Sequence, residues 1–194
     1  MPPSQRAAQR EQTRALLVRR GRELFAAEGY AAVGLARIVA AAGVTKGALY
    51  HNFSSKEELF RAVLTEVQQE VGARVAAAAD AVHDPWQQLR AGCDAFLVAA
   101  TDPAIQRILL VDGPAVLGWH EWRALDEANS ASHLRDALAP LVADGTLPDQ
   151  PLEPLVHLLS GAMNEAALWL ATEPAALADT SAALGRLLAA LRGP

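Results

Sequence analysis

The sequence predicts an all-α protein, and three observations carry that reading. Ala and Leu, both strong helix formers, dominate a chain that is about half hydrophobic. The β-branched and aromatic runs typical of strands are missing, and only 5% of residues are aromatic. Apolar residues instead recur at three- and four-residue spacings, bounded by glycines, prolines and small polar caps. At 194 residues the chain makes one large or two small domains with ample length for a buried core. It holds no internal repeat and no low-complexity linker.

Charge divides the chain. The net charge is −5, which alone argues against a polyanionic partner. Residues 1–61, however, carry ten Arg/Lys against five Glu, whereas the rest holds seven basic against seventeen acidic groups. A basic head on an acidic body directs one end toward phosphate and leaves the other for something else. The single cysteine, Cys93, excludes an intrachain disulfide and reads as a packed thiol. No N-terminal signal-like segment occurs, and no apolar run approaches the ~18–20 residues of a membrane span, so a soluble cytoplasmic protein without a membrane partner is expected.

Taken in order, residues 1–9 are polar and proline-bearing and read as a disordered arm. Arg6 and Arg10 there either enter a minor groove or stay solvated. Over residues 11–28, Leu17, Val18, Leu24 and Phe25 fall at helical spacing, closed by Gly29. Gly21, inside that helix, costs about 1 kcal/mol relative to Ala and marks close approach of another helix. Residues 35–42 place Leu35, Ile38, Val39 and Ala42 on one face, and Gly43 supplies a left-handed turn. Thr45 caps a short helix over 46–51 that turns Leu49 inward, and Phe53 plugs the next corner. Ser55 at the N-cap and Glu58 at N3 form a capping box that opens a long helix toward residue 79 or 82. Helix, glycine turn and short helix make a helix-turn-helix with its support.

The short helix is too short to fold alone, so its neighbours hold it for another purpose. With Leu49 inward, Thr45, Lys46, Gly47, Tyr50 and His51 face outward. N-terminal residues of a recognition helix read base edges in the major groove. Lys46 donates to guanine acceptors, Thr45 offers a hydroxyl, and Gly47 lets the backbone approach DNA closely. Tyr50 and His51 reach phosphates or thymine methyls. Arg37 lies on the outer side of the preceding helix.

The register Leu24-Phe25, Gly29-Tyr30, Ile38, Ala42-Gly43-Val44-Thr45-Lys46-Gly47, Leu49-Tyr50-His51-Asn52-Phe53 and Lys56-Glu57-Glu58-Leu59 resembles the DNA-binding head of the TetR family of bacterial transcription regulators. The resemblance implies that Tyr50 contacts the DNA backbone and that Lys56 anchors a phosphate. Three positions depart from the pattern. Val33-Gly34 replaces the usual capping Thr, Arg20 stands where a small residue is usual, and Asn52 replaces the common His, which makes Asn52 a place where operator preference diverges. The resemblance sets a helix-turn-helix domain over residues 1–60 and a ligand-binding and dimerisation domain over 61–194.

In that second part, Asp84 caps a helix with Pro85 at its first position, running to about residue 100. Asp102-Pro103 starts another through Leu110, broken by Gly113-Pro114. A long helix over residues 119–143 ends at Gly145, and two last helices span 152–172 and 174–192. Those two are rich in Ala, with Gly161 and a run of leucines from Leu184 to Leu191, and the resemblance implies that they pair with their twins in a homodimer. It also places an effector site among the middle helices. Cys93, Phe96, Trp119, Trp122, His133, Asn164 and Glu165 are the candidates for a largely apolar ligand, being aromatic or polar residues within apolar helices. Each also has a plain reading: tryptophans as core, Asn164 as a dimer hydrogen bond, His133 as surface.

His120, His133 and His157 lack metal-ligand spacing, nothing calls for a cofactor, and no nucleophile elbow, zincin, phosphate-loop or dinucleotide-binding motif occurs. An enzyme is therefore not expected. The resemblance points to a homodimeric repressor released from a palindromic operator by a small molecule. An activator of the same fold is the first alternative, and a helical small-molecule-binding protein with a vestigial head is the second.

Overall fold

The computed structural model describes residues 5–192, apart from the Ser130 side chain. These residues are helical without a strand among them: α1 Gln5–Glu28, α2 Leu35–Ala42, α3 Lys46–Asn52, α4 Lys56–Asp80, α5 Pro85–Ala100, α6 Pro103–Gln106, a π-helical turn Arg107–Asp112, α7 Gly113–Leu117, α8 Trp119–Ala128, α9 Ser130–Ala143, α10 Leu152–Leu170 and α11 Leu177–Ala190. The all-α class read from composition holds. The chain divides into two compact units. One takes the chain up to Val67 together with Arg107–Trp122, and the other takes Gln68–Gln106 and everything from Arg123 onward.

In the first unit, Leu17, Phe25, Ile38, Leu49, Phe53, Leu59 and Phe60 are buried together from all four N-terminal helices. The Phe25 and Phe60 rings meet edge-on at 5.4 Å between centroids, and Tyr30 adds a third ring 5.0 Å from Phe60. Residues 107–122 are fastened to this core by polar contacts. Arg107 Nη1 donates to the Ala27 and Ala26 carbonyls at 2.8 and 3.2 Å, which satisfies orphan acceptors at the end of α1. Asp112 Oδ2 accepts the Tyr30 backbone N–H at 2.8 Å, and Glu121 pairs with Arg61.

In the second unit, α5 packs against α9, α10 and α11, and α10 against α9. Asp84 caps α5 by accepting the Gln87 N–H at 2.9 Å, as its sequence predicts. Gln106, buried, donates to the Ala167 carbonyl at 2.6 Å.

Several boundaries differ from the sequence reading, each for a local reason. Helix α1 already runs from Gln5, so Arg6 and Arg10 are helical, and only residues 1–4 of the expected arm lie outside the described residues. Gly113-Pro114 does not break the chain's helical course. Pro114 sits in the first turn of α7, where its missing N–H costs nothing, and the break falls at Gly118 with φ +78°. The helix expected over 119–143 is interrupted at Asn129, whose amide donates to the Leu125 carbonyl while its own carbonyl accepts from the Ser132 hydroxyl. A short 3-10 turn, Pro174–Ala176, separates α10 from α11. The capping box is also widened. Ser55 accepts the Glu58 N–H as expected, but the Glu58 carboxylate reaches back to the N–H and hydroxyl of Ser54, at 2.7 and 2.6 Å.

Two helical glycines of the first unit invite opposite outcomes. A Cβ on Gly21 would meet Phe25, Val63 and Leu59 side chains at 3.5–3.6 Å, ordinary contact distances, so α4 approaches closely without forbidding alanine. A Cβ on Gly113 would lie 2.8 Å from Trp122 Cδ1 and 3.0 Å from the Ile108 carbonyl oxygen. In chemical denaturation of the full chain, Gly21→Ala is therefore expected to add about 0.5–1 kcal/mol of stability. Gly113→Ala should remove about 1–3 kcal/mol through overpacking.

Candidate functional site

The turn between α2 and α3 is closed by backbone alone. Gly43 adopts φ 64°, its N–H bonds to Ala40, and the Val44 N–H reaches the Val39 carbonyl, which is the Schellman pattern that only a residue tolerant of the left-handed region makes cheaply. The chain then enters α3 in extended conformation at Thr45, whose Oγ1 accepts the Ala48 N–H at 3.1 Å. That bond uses an oxygen lone pair and leaves the hydroxyl proton free to donate outward. The weak cap expected at Gly34 is observed, since no side chain caps the first turn of α2.

With Leu49 fully buried on α1 and α2, the opposite side of α3 is fixed. Thr45, Lys46, Gly47, Tyr50 and His51 are all exposed, Tyr50 by 50%, and Lys46 Nζ lies 5.8 Å from the Tyr50 ring centroid. Five of the residues singled out from sequence thus share one solvent-facing surface. Asn52 does not join them. It is buried, and its Nδ2 donates to the Ala48 carbonyl at 2.8 Å, so the expectation that it faces a partner is corrected: one residue beyond His51, the helix has already turned it inward. Arg37 is exposed but already paired with Glu28.

Lys56 begins α4 beside this surface. Its Nζ sits 4.0 Å from the centre of the Tyr30 ring, a cation–π arrangement that holds the ammonium in place. Burial lowers its pKa below the ordinary lysine value, and the Asp112 carboxylate opposes that shift. Arg10, on α1, donates to the His51 carbonyl at 3.5 Å, and the Arg14 guanidinium lies 4.5 Å from the Phe53 ring centre. The sequence reading missed Arg14, Asp112 and Arg107, all of which act by contacts between residues distant along the chain.

The second unit contains a cavity of about 230 Å³. Cys93, Phe96 and His133, expected from sequence, line it together with the α4 residues Val75, Ala76 and Ala79. Burial pushes the Cys93 thiol up to about 12, with Asp94 adding to the shift, so the sulfur is protonated and behaves as packing. The other four candidates lie elsewhere. Trp119 is 62% exposed, and Trp122 is buried in the first unit, its indole N–H donating to the Leu109 carbonyl at 2.7 Å. Asn164 is half-buried and Glu165 exposed, and neither lines the cavity. Asp126 and Ser160, which do line it, carried no signal in the sequence because they occupy ordinary helix positions. Gln68 is fully buried on α4 with no hydrogen-bond partner for either amide atom among the described residues.

Helices α10 and α11 leave an apolar stripe uncovered. Leu158 is 72% exposed, and Leu168, Trp169 and Leu187 are also exposed, with small Gly161 and Ala162 between them. Among the described residues no cluster of His, Cys, Asp and Glu is arranged to hold a metal ion, and no helix is long and apolar enough to cross a membrane.

Comparison with known proteins matches both parts of this description. Residues 17–63 match the family described as "Bacterial regulatory proteins, tetR family", and residues 86–191 match "Tetracyclin repressor-like, C-terminal domain". A solved TetR-family transcriptional regulator from Pectobacterium atrosepticum is 34% identical, with 96% of this chain and 97% of that one covered and a TM-score of 0.81. The Tn10 TetC protein of Escherichia coli is 26% identical over 145 residues, which are 75% of this chain and 73% of TetC. The transcriptional activator FasR of Mycolicibacterium smegmatis is 39% identical over 87 residues, 45% of this chain and 40% of FasR. The helix-turn-helix with its exposed α3 and the helical second unit are those of a known lineage, and the chain belongs to the TetR family of transcription regulators.

Proposed function

We propose that this regulator acts as a homodimeric repressor that reads a palindromic operator with α3 and is released by a small molecule held in the second unit. The observation that carries the proposal is the face of α3. Burial of Leu49 leaves a contiguous surface of hydroxyl, ammonium, bare backbone, phenol and imidazole, suited to base edges and phosphates in a major groove. Lys46 is the base-reading residue of this surface, Thr45, Tyr50, His51 and Lys56 hold the phosphates, and Gly47 allows close approach. Arg37, engaged by Glu28, contributes general positive field.

A single α3 buries too little surface for tight specific binding, and palindromic sites are read by two-fold dimers. The exposed stripe of Leu158, Leu168, Trp169 and Leu187, with small residues allowing close helix approach, supports α10 and α11 as the dimer interface. The 230 Å³ cavity supports a ligand site. Helix α4 contributes Val75, Ala76 and Ala79 to that cavity and Lys56 to the DNA face. A ligand that prefers a shifted α4 would change the separation of the two α3 helices from the ~34–36 Å that successive major grooves demand, and that differential affinity would weaken operator binding. Repression and activation use the same contacts, and FasR, matched over 40% of its length, is an activator. A promoter–reporter fusion with the operator moved upstream distinguishes the two signs of regulation.

Anisotropy titrations on operator DNA test the contact face. Lys46→Ala is expected to cost about 1–3 kcal/mol, roughly 5- to 150-fold, and to relax preference at one base position. Lys56→Ala should weaken all sequences alike and reduce the salt slope by about one. Asn52→Ala should leave base preference unchanged. Equal binding by Lys46→Ala and the unmodified chain would refute the reading and favour a vestigial head. For the dimer, the pair Leu158→Glu and Leu187→Glu is expected to give a monomer by sedimentation velocity with operator affinity lowered at least tenfold, and an undisturbed dimer would reassign the interface.

A further inference from the structure

The cavity of the second unit carries more information than its place. Its inner wall is apolar, with Leu89, Phe96, Leu134 and Met163 prominent, and its acidic groups have no Lys or Arg among the lining beside them. Three carboxylates line it, Asp80 and Asp136 where the side chains are exposed at the rim and Asp126 inside, where only 3% of the residue is exposed.

Arg135 beside Asp136 is paired with Glu153, and the base paired with the inner acid, Asp126, is Arg123. Nη1 donates to Asp126 Oδ2 at 2.6 Å and to Ser160 Oγ at 2.8 Å, Nη2 meets His157 Nδ1 at 2.8 Å, and Nε lies 3.3 Å from Glu127. Four of its five N–H groups are directed at these partners, and Arg123 is not among the residues that line the cavity. Asp126 is only half used. Both hydrogen bonds to its carboxylate, from Arg123 and from the Ser160 hydroxyl at 3.3 Å, fall on Oδ2. Oδ1 accepts no hydrogen bond among the described residues, although Asp126 is almost wholly buried and lines the cavity. Oδ1 is not among the sealed buried atoms, so it stays open to the cavity, where a ligand N–H can reach it in a largely desolvated setting. Desolvation already raises the Asp126 pKa, with Arg123 acting against it. A carboxylate or phosphate ligand in the same space would have no cation to meet and three acids to repel it.

Size adds a second limit. A volume of about 230 Å³ lies at the small end of ligand pockets, below the ~300–1,000 Å³ typical for drug-sized molecules. A single ring with a short arm fits this space.

Resting on the reading of the chain as a ligand-responsive regulator, we infer that its effector is a compact organic cation, an amine or ammonium on a single-ring or similarly small apolar body, with the cationic head on Asp126 Oδ1 and the body against Phe96 and Met163. Asp80 and Asp136 attract the cation at the mouth. Ser160 holds the orientation of Asp126, and His133, beside Gly72 of α4, completes the polar end.

A head-group series on one body separates charge from shape. Titration calorimetry on the full chain compares 4-phenylbutylamine, 4-phenylbutanol and 4-phenylbutyrate, and anisotropy follows release of bound operator DNA. The amine is expected to bind at least tenfold more tightly than the alcohol, the butyrate to bind at least a hundredfold more weakly than the amine, and the amine alone to release DNA at submillimolar concentration. Asp126→Asn should abolish the amine's advantage over the alcohol. Because that substitution also touches the Arg123 pair, the rim variant Asp80→Asn/Asp136→Asn serves beside it and should lower amine affinity two- to fivefold without changing that for the alcohol. Equal binding of alcohol and amine, or tighter binding of the butyrate, would overturn the cation assignment and leave the ligand-responsive reading standing. Failure of all three to bind would overturn both the assignment and the use of this cavity for release.

Discussion

The burial of Leu49 is the constraint on which the DNA-facing half depends. A seven-residue helix has no stability of its own, so α3 exists because α1 and α2 accept this one side chain. Leu17, Phe25, Ile38 and Phe53 complete the buried cluster around it, and with the Schellman turn at Gly43 they leave α3 a single orientation. The consequences run outward in both directions along the helix. Lys46 and Tyr50 are exposed because Leu49 is not, and Asn52, three residues on from Leu49, is drawn into the same buried side. The exposed surface is thus a by-product of packing, and substitutions there change contacts while leaving the fold to the residues beneath.

This dependence explains what was legible in the sequence. The head is built from local signals: apolar residues three or four apart, a glycine turn, and caps within four residues of the group they satisfy. Each of these is visible in a short window, so Ile38, Leu49, Gly43, Thr45 and Ser55 were readable along with the fold class. Asn52 is linked to operator preference from its place in the motif, but its angle from Leu49 turns it inward. In the body the local signals compete. Gly113-Pro114 reads as a helix breaker, yet the proline opens α7 and the glycine makes room for the Trp122 ring, a fact set by a residue nine positions away. Asn129 looks unremarkable in a polar stretch, but its side chain takes the Leu125 carbonyl and helps end α8 there.

The least legible feature is the docking of residues 107–122 on the N-terminal core. Arg107 reaches carbonyls of Ala26 and Ala27, 81 and 80 positions earlier, and Asp112 accepts from Tyr30, 82 positions earlier. No periodicity encodes such pairs. Their physical logic is nevertheless simple: the C-terminus of α1 presents unsatisfied acceptors and a negative dipole end, and a guanidinium answers both. Asp112 answers the donor just beyond, at Tyr30, whose ring also holds the Lys56 ammonium. The segment that ties sequence-distant chain to the head therefore holds the backbone of the residue whose ring carries a proposed phosphate anchor. The domain boundary expected near residue 60 followed chain order, whereas the compact unit follows these contacts.

The cavity raises the same issue in electrostatic form. Its location among the middle helices followed from family resemblance, but its chemistry depends on which oxygen of Asp126 is occupied, and that is decided by Arg123 three residues before it on α8 and by Ser160 on α10. An isolated Asp in a helix reads as solvated surface, and only the fold shows it almost fully buried. From Lys56 to Val75, Ala76 and Ala79, α4 covers about 30–35 Å at 1.5 Å per residue. In the proposed release, α4 would carry a displacement from one end to the other, but it supplies no preference of its own. The preference must come from ligand contacts that differ between two positions of α4, and Val75, Ala76 and Ala79 can make only weak, apolar ones. Discrimination in that proposed release would fall to the polar end, where Arg123 and Ser160 hold Asp126 and His133 faces Gly72 on α4 itself. A ligand head anchored on Asp126 with its body pressed toward α4 would convert binding energy at the fixed wall into displacement of the movable one.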